Sequence, residues 1–208
     1  MLKVDLLIGG VIVAAVLLSV LGVATYERAP GAIEFDVLWS TSGDGTPSTS
    51  TSRSGPGAMT VTVPLEFANV SAMTWTLTIS GAGPRAQPVT WTAEVEAPNG
   101  TVSEPQTGTL PQGAGTATGN PEFEFSIQPV PEDGSATAAN ESLARDGLGD
   151  DYNATAGQGE WVVRVQISGG QAPPLGLPGG EGYTLRVDGE ATVFAASVTA
   201  SVPDVESR

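Results

Sequence analysis

The sequence predicts an all-β chain: an antiparallel β-sandwich, Ig-like or jelly-roll-like, held behind one N-terminal transmembrane helix. Three observations predict it. Leu6 to Thr25 is an unbroken uncharged run, LLIGGVIVAAVLLSVLGVAT. Beyond it, short stretches alternate apolar and polar side chains. Gly, Pro and Ser/Thr clusters separate those stretches, with almost no helical spacing. Strict alternation buries one face and wets the other, which is the antiparallel pattern. Two such sheets bury their apolar faces against each other.

The apolar run has 20 residues. At about 1.5 Å of rise per residue it spans roughly the 30 Å hydrocarbon core of a bilayer. It exceeds the apolar stretch of about 7–15 residues usual in a signal peptide, which favours a retained helix. Gly22-Val23-Ala24 nonetheless offers the small residues a signal peptidase reads. Lys3 and the Met1 amine precede the run, opposed by Asp5, and Arg28 and Glu27 follow it. Positive charge is retained inside, so the N-terminus is expected in the cytoplasm and the bulk of the chain outside. Gly10 with Ala14, and Ala15 with Ser19, have the small-xxx-small spacing of a helix-packing face, a route to oligomers through the anchor. The expected organisation is an anchor over residues 1–28, an extracellular sandwich over 29–203 and a frayed tail over 204–208.

Along the sandwich, Ile33, Phe35, Val37 and Trp39 alternate as a first strand. Residues 40–57, STSGDGTPSTSTSRSGPG, read as a flexible Ser/Thr/Gly loop. Strands follow on Met59–Phe67, Met73–Ile79 and Val89–Val95, the last closed by the turn signal Pro98-Asn99-Gly100. Residues 107–119 read as a Gly/Thr-rich connection with a short strand around Leu110. Phe123, Phe125 and Ile127 form a strand ended by Pro129 and Pro131. Residues 136–146 are the one helical candidate outside the membrane, capped by Ser135 and ended by Gly147. Trp161–Ile167 and Tyr183–Val187 are strands, then a turn at Gly189, then a long strand from Thr192 to Val202. Trp75, Trp91 and Trp161 each lie among alternating apolar residues and are expected in the core.

Composition excludes more chemistry than any motif supports. The chain of 208 residues carries 23 acids against 8 bases, net −15. All but Asp5 and Lys3 of these lie beyond the apolar run, and Lys3 is the sole lysine. Such a surface repels nucleic acid. The acids are spread along the chain rather than blocked, which suits a hydrated surface in concentrated salt, where screening over about 3 Å at 1 M removes self-repulsion. Scarce lysine with dispersed Asp and Glu resembles the composition of proteins from halophilic archaea. There is no histidine and no cysteine. Triads of Ser-His-Asp or Cys-His type, and the usual zinc, copper and haem ligands, are therefore absent. Catalytic residues and cofactors are expected to be none.

Carboxylate pairs survive as an enzymatic option. Glu94 with Glu96, and Glu122 with Glu124, are spaced to share a strand face, as glycoside hydrolysis would need. A solvated sheet face is the simpler expectation. Asp146, Asp150, Asp151 and Asn153 place three carboxylates and an amide in a glycine-bent segment, an oxygen-rich set that suits calcium. Asn69, Asn99, Asn140 and Asn153 each begin an N-glycosylation acceptor motif.

The segments GEWVVRV (159–165) and YTLRV (183–187) resemble strands of secreted sandwich modules. The layout of anchor and sandwich is similar to pilin-like and archaellum-stator subunits, although MLKVD lacks the processing site pilins carry before the apolar run. The expected function is a non-enzymatic cell-surface protein, an accessory or binding subunit of an envelope or membrane assembly. Its expected partners are the membrane, through residues 6–25, and other envelope proteins. A filament subunit is the alternative, and a carbohydrate-binding or carbohydrate-cleaving domain the third reading. The third predicts an exposed tryptophan beside a carboxylate.

Overall fold

The computed structural model describes residues 32–82, 87–113, 116–149, 154–169 and 182–201. The expected anchor and the tail beyond Ser201 lie outside these residues. Among the described residues no helix is long and apolar enough to cross a membrane. Among the described residues the fold is all-β but for one short helix, the strands pair antiparallel, and two compact units are distinguished.

The larger unit covers residues 38–133 and 148–197. One of its sheets is β3 (Gly57–Leu65), β10 (Gly159–Gly169), β5 (Val89–Glu96) and β6 (Gln106–Leu110), in that order across the sheet. The other is built on β4 (Val70–Ala82) and β11 (Gly182–Ala200). β4 takes β7 (Ala117–Gly119) and β8 (Glu122–Ser126) along its far edge, and β11 takes β2 (Thr49–Ser54).

Alternation in the sequence drives this arrangement. On β3, Met59, Val61, Val63 and Leu65 are buried while the residues between them are exposed. On β10, Trp161, Val163, Val165 and Ile167 are buried in the same phase. These residues meet Met73, Trp75, Leu77, Ile79, Tyr183 and Leu185 of the facing sheet in one core. Trp75 of one sheet and Trp161 of the other lie 5.6 Å apart between ring centroids, and Phe125 meets Trp161 edge-on at 4.9 Å. The unit is thus a sandwich, with the tryptophans Trp75, Trp91 and Trp161 buried as expected. Each fully buried large apolar side chain contributes roughly 1.5–3 kcal/mol.

The smaller unit contains residues 33–37 of β1 (Ile33–Gly45), β9 (Gly134–Ala138), the short helix α1 (Glu141–Asp146) and the end of β11. β1 pairs antiparallel with β9 from Ile33↔Ala138 to Val37↔Gly134. Phe35, Val37, Ala144 and Val198 are its buried apolar residues. Ser201 closes it, donating its N–H to the Glu34 carbonyl (2.9 Å) and its hydroxyl to Asp36 (2.8 Å).

Four elements differ from expectation. Residues 40–57 are no loop: β1 runs to Gly45, and β2 and the start of β3 follow. Their Ser/Thr-rich backbone is ordered by β2 pairing with residues 182–187, with no apolar face of its own. Within 107–119 there are two strands, β6 and β7. The helix starts later than predicted, because 134–138 pair with β1 as a strand; Asn140, not Ser135, caps α1, accepting the Leu143 N–H at 2.9 Å. Gly189 is no turn. β11 is one strand of 19 residues, and a bulge at Thr192/Val193 shifts its buried phase from Tyr183, Leu185 and Val187 to Phe194, Ala196 and Val198. Gly189 is required for another reason: a Cβ there would meet Met73 Cε and Trp75 Cζ3 at 2.5 Å each.

Candidate binding face

The outward face of the β3-β10-β5-β6 sheet carries the polar side chains that alternate with the core residues. Register fixes which of them are neighbours. Arg164 on β10 stands directly between Thr60 on β3 and Glu94 on β5. One pair along, Gln166 stands between Ala58 and Thr92. Strands in a sheet lie about 4.8 Å apart, so these six positions form two adjacent three-residue rows. They line an open groove of about 270 Å³.

Arg164 organises the electrostatics of the face. Its Nη2 is 2.5 Å from Glu96 Oε2, and its Nη1 is 3.7 Å from Glu94 Oε1. Both carboxylates predicted as a pair therefore do share a face, with a guanidinium set against them. The side chains are 43% (Arg164), 38% (Glu94) and 31% (Glu96) exposed, so water screens the pairing and its contribution to stability is small. The second pair, Glu122 and Glu124, lies exposed on β8, on the opposite side of that strand from buried Phe123 and Phe125.

The cation set is mostly beyond description. Asp146 is exposed at the end of α1, while Asp150, Asp151 and Asn153 lie outside the described residues. Among the described residues no group of three or more Asp, Glu, His or Cys is placed to hold a metal ion.

The glycosylation motifs sort by geometry. Asn99 is exposed in the expected turn, where its Oδ1 accepts the Thr101 N–H at 2.9 Å and Gly100 N–H bonds the Ala97 carbonyl. Asn140 is exposed, and capping α1 occupies its Oδ1. Asn69 is different. It is half-buried, it holds a left-handed backbone (φ 56°), and its Oδ1 accepts the Ala154 N–H at 2.8 Å. Its backbone N–H bonds the Ala154 carbonyl and its own carbonyl accepts from Phe194. Asn69 thus ties the start of β4 to the segment before β10 and to β11.

One exposed ion pair sits on the other sheet. Arg186 Nε is 2.9 Å from Asp188 Oδ2, and hydrogen bonding to Arg186 holds the Asp188 carboxyl below its ordinary range, helped by Ser48. The same bond raises Arg186. Sequence reasoning identified Glu94 and Glu96 but missed Arg164 and Gln166, whose place beside them is set by pairing between strands 70 residues apart. Their even positions on an alternating strand were the available signal.

No known protein family matches the chain, and no curated protein does. Solved structures give distant likenesses. The enzymatically active domain of the bacteriophage CBA120 tailspike protein 4 is 10% identical at a TM-score of 0.28, over 76% of this chain and 19% of that one. The infectious bursal disease virus VP2 subviral particle is 11% identical at 0.33, over 80% and 38%. A CBM4 structure is 16% identical at 0.28, over 72% and 84%. The chain therefore spans well under half the length of the first two, and likenesses at these scores carry no functional argument.

Proposed function

We propose that the chain is a non-enzymatic surface protein, held in the membrane by residues 6–25 with its N-terminus in the cytoplasm. It presents a β-sandwich outside the cell as a binding or accessory subunit of an envelope assembly in a salt-adapted organism. The observation that carries this reading is the layout: a charge-free run of 20 residues precedes an acidic chain whose described part folds as a sandwich. The helix supplies location, and a sheet face or loop cluster supplies contacts. The lack of histidine and cysteine supports a role without nucleophilic catalysis. The guanidinium set against Glu94 and Glu96 supports a structured polar face over an acid–base pair.

The test is affinity purification of the full chain from its native membrane in mild detergent, with mass spectrometry of its partners and of its own N-terminus. A stable set of envelope proteins with the apolar run intact is the expected result. Recovery of self-polymers alone with a trimmed N-terminus overturns it in favour of a filament subunit.

A further inference from the structure

We propose that the groove on the outer face of the β3-β10-β5-β6 sheet binds a short segment of a neutral, polyhydroxylated ligand, a glycan chain. This rests on the reading of the chain as a displayed binding protein and names the ligand class of one of its faces.

Unused hydrogen-bonding capacity is the first argument. Arg164 places its Nη2 on Glu96, but the 3.7 Å gap from Nη1 to Glu94 is too long for a hydrogen bond. The Glu94 carboxylate thus keeps open lone pairs, and Arg164 keeps free N–H donors. Gln166 donates its amide to the Ile167 carbonyl (3.1 Å), which leaves its carbonyl oxygen as an acceptor. The hydroxyls of Thr60 and Thr92 make no hydrogen bond among the described residues. Donor and acceptor groups therefore stand side by side along Thr60, Arg164 and Glu94, with the Gln166 oxygen and the Thr92 hydroxyl in the next row. Sugar hydroxyls both donate and accept, so one run of them can satisfy carboxylate, amide oxygen and guanidinium together.

Charge selects against the alternatives. The cluster holds two carboxylates to one guanidinium, on a protein of net charge −15. Phosphate, sulfate and uronate groups would meet a local excess of one carboxylate, a repulsion that is strongest at low salt. A bare cation would meet Arg164 between its two candidate ligands.

Shape selects a chain segment. At about 270 Å³ the groove is smaller than the roughly 300–1,000 Å³ of pockets that engulf a compact ligand. Ala58, Val165 and the two threonines are among its lining residues, a source of apolar contact for sugar C–H surface. Trp91 and Trp161, on the same strands, point into the core, so the groove lacks the exposed tryptophan expected of a carbohydrate site and would hold its ligand by hydrogen bonds without a stacking ring. Each site therefore binds weakly, and many copies on one membrane gain affinity by avidity.

The experiment uses the full chain in phosphatidylcholine nanodiscs, titrated calorimetrically with cellohexaose, mannohexaose and xylohexaose, and with hexagalacturonate as the anionic comparison. Saturable binding of at least one neutral hexaose is expected, with hexagalacturonate about tenfold weaker or more. Arg164→Ala and the near-isosteric Thr92→Val are expected to weaken that binding by about tenfold and several-fold. Arg186→Ala, on the other sheet, should leave it unchanged. The proposal is overturned if no neutral hexaose saturates the wild-type chain, if neither groove variant weakens binding, or if the anionic sugar binds tighter. Should binding be absent while the purification still recovers an intact anchor with envelope partners, only the groove assignment is lost.

Discussion

At the scale of single residues, identical motifs have unlike fates. Four asparagines share one acceptor pattern, yet Asn69 is spent on a clamp to Ala154 while Asn99 and Asn140 stand in solvent. Glycopeptide mass spectrometry of the native protein should find sugar on Asn99 and Asn140 and none on Asn69; an occupied Asn69 would contradict the clamp. Asn69→Ala should also destabilise the fold by about 1–3 kcal/mol, because it strains a left-handed position and orphans the Ala154 N–H. The Arg186–Asp188 pair fixes a pH dependence. A carboxylate whose folded pKa is lowered stabilises the fold fully above its unfolded value, about 3.9 for aspartate. That contribution is lost as pH falls through the lower folded value. Acid melts of wild type and Asp188→Asn should therefore differ slightly above about pH 3.9 and converge only as pH falls on through the lower folded value. A gap that widens on acidification would refute the pairing.

At the scale of elements, legibility followed burial. β3, β5 and β10 could be read from the sequence because each buries one face strictly, and the periodicity of Met59–Leu65 or Trp161–Ile167 records that. The second half of β1 and β2 could not, since TSTSRS has no apolar residue and owes its strand to β11. β11 itself misled in an instructive way. Its two apolar phases are what a turn would produce, and a bulge produces them equally. Gly189, which looked like that turn, is small because Met73 and Trp75 leave no room. Gly189→Ala should cost about 1–3 kcal/mol by overpacking, at about 2–4 °C of melting temperature for each kcal/mol in a chain of this size. A neutral result in a thermal melt would show that Met73 and Trp75 give way to the added methyl and would refute the packing account of this glycine. For the binding face, strand parity put Glu94 and Glu96 together, but only the register supplied Arg164 between Thr60 and Glu94.

At the scale of the whole molecule, charge is the dominant long-range term. Net −15 on 208 residues repels itself over about 10 Å at 0.1 M salt and only about 3 Å at 1 M. The melting temperature of the full chain should rise steadily between 0.1 M and 2 M KCl, and a flat or falling curve would remove the salt-adapted reading. The all-β class was legible from alternation alone, whereas the division into two units was not, because no change of composition marks it. One bond in the smaller unit has a wider meaning. Ser201, the last of the described residues, reaches back to Glu34, near the first of them. The two ends of the described residues thus meet in the smaller unit, like a bead whose thread goes in and out through the same hole. Such a bead can be spliced into a surface loop of a host protein, or have its old ends joined and new ones cut elsewhere, without prying its strands apart.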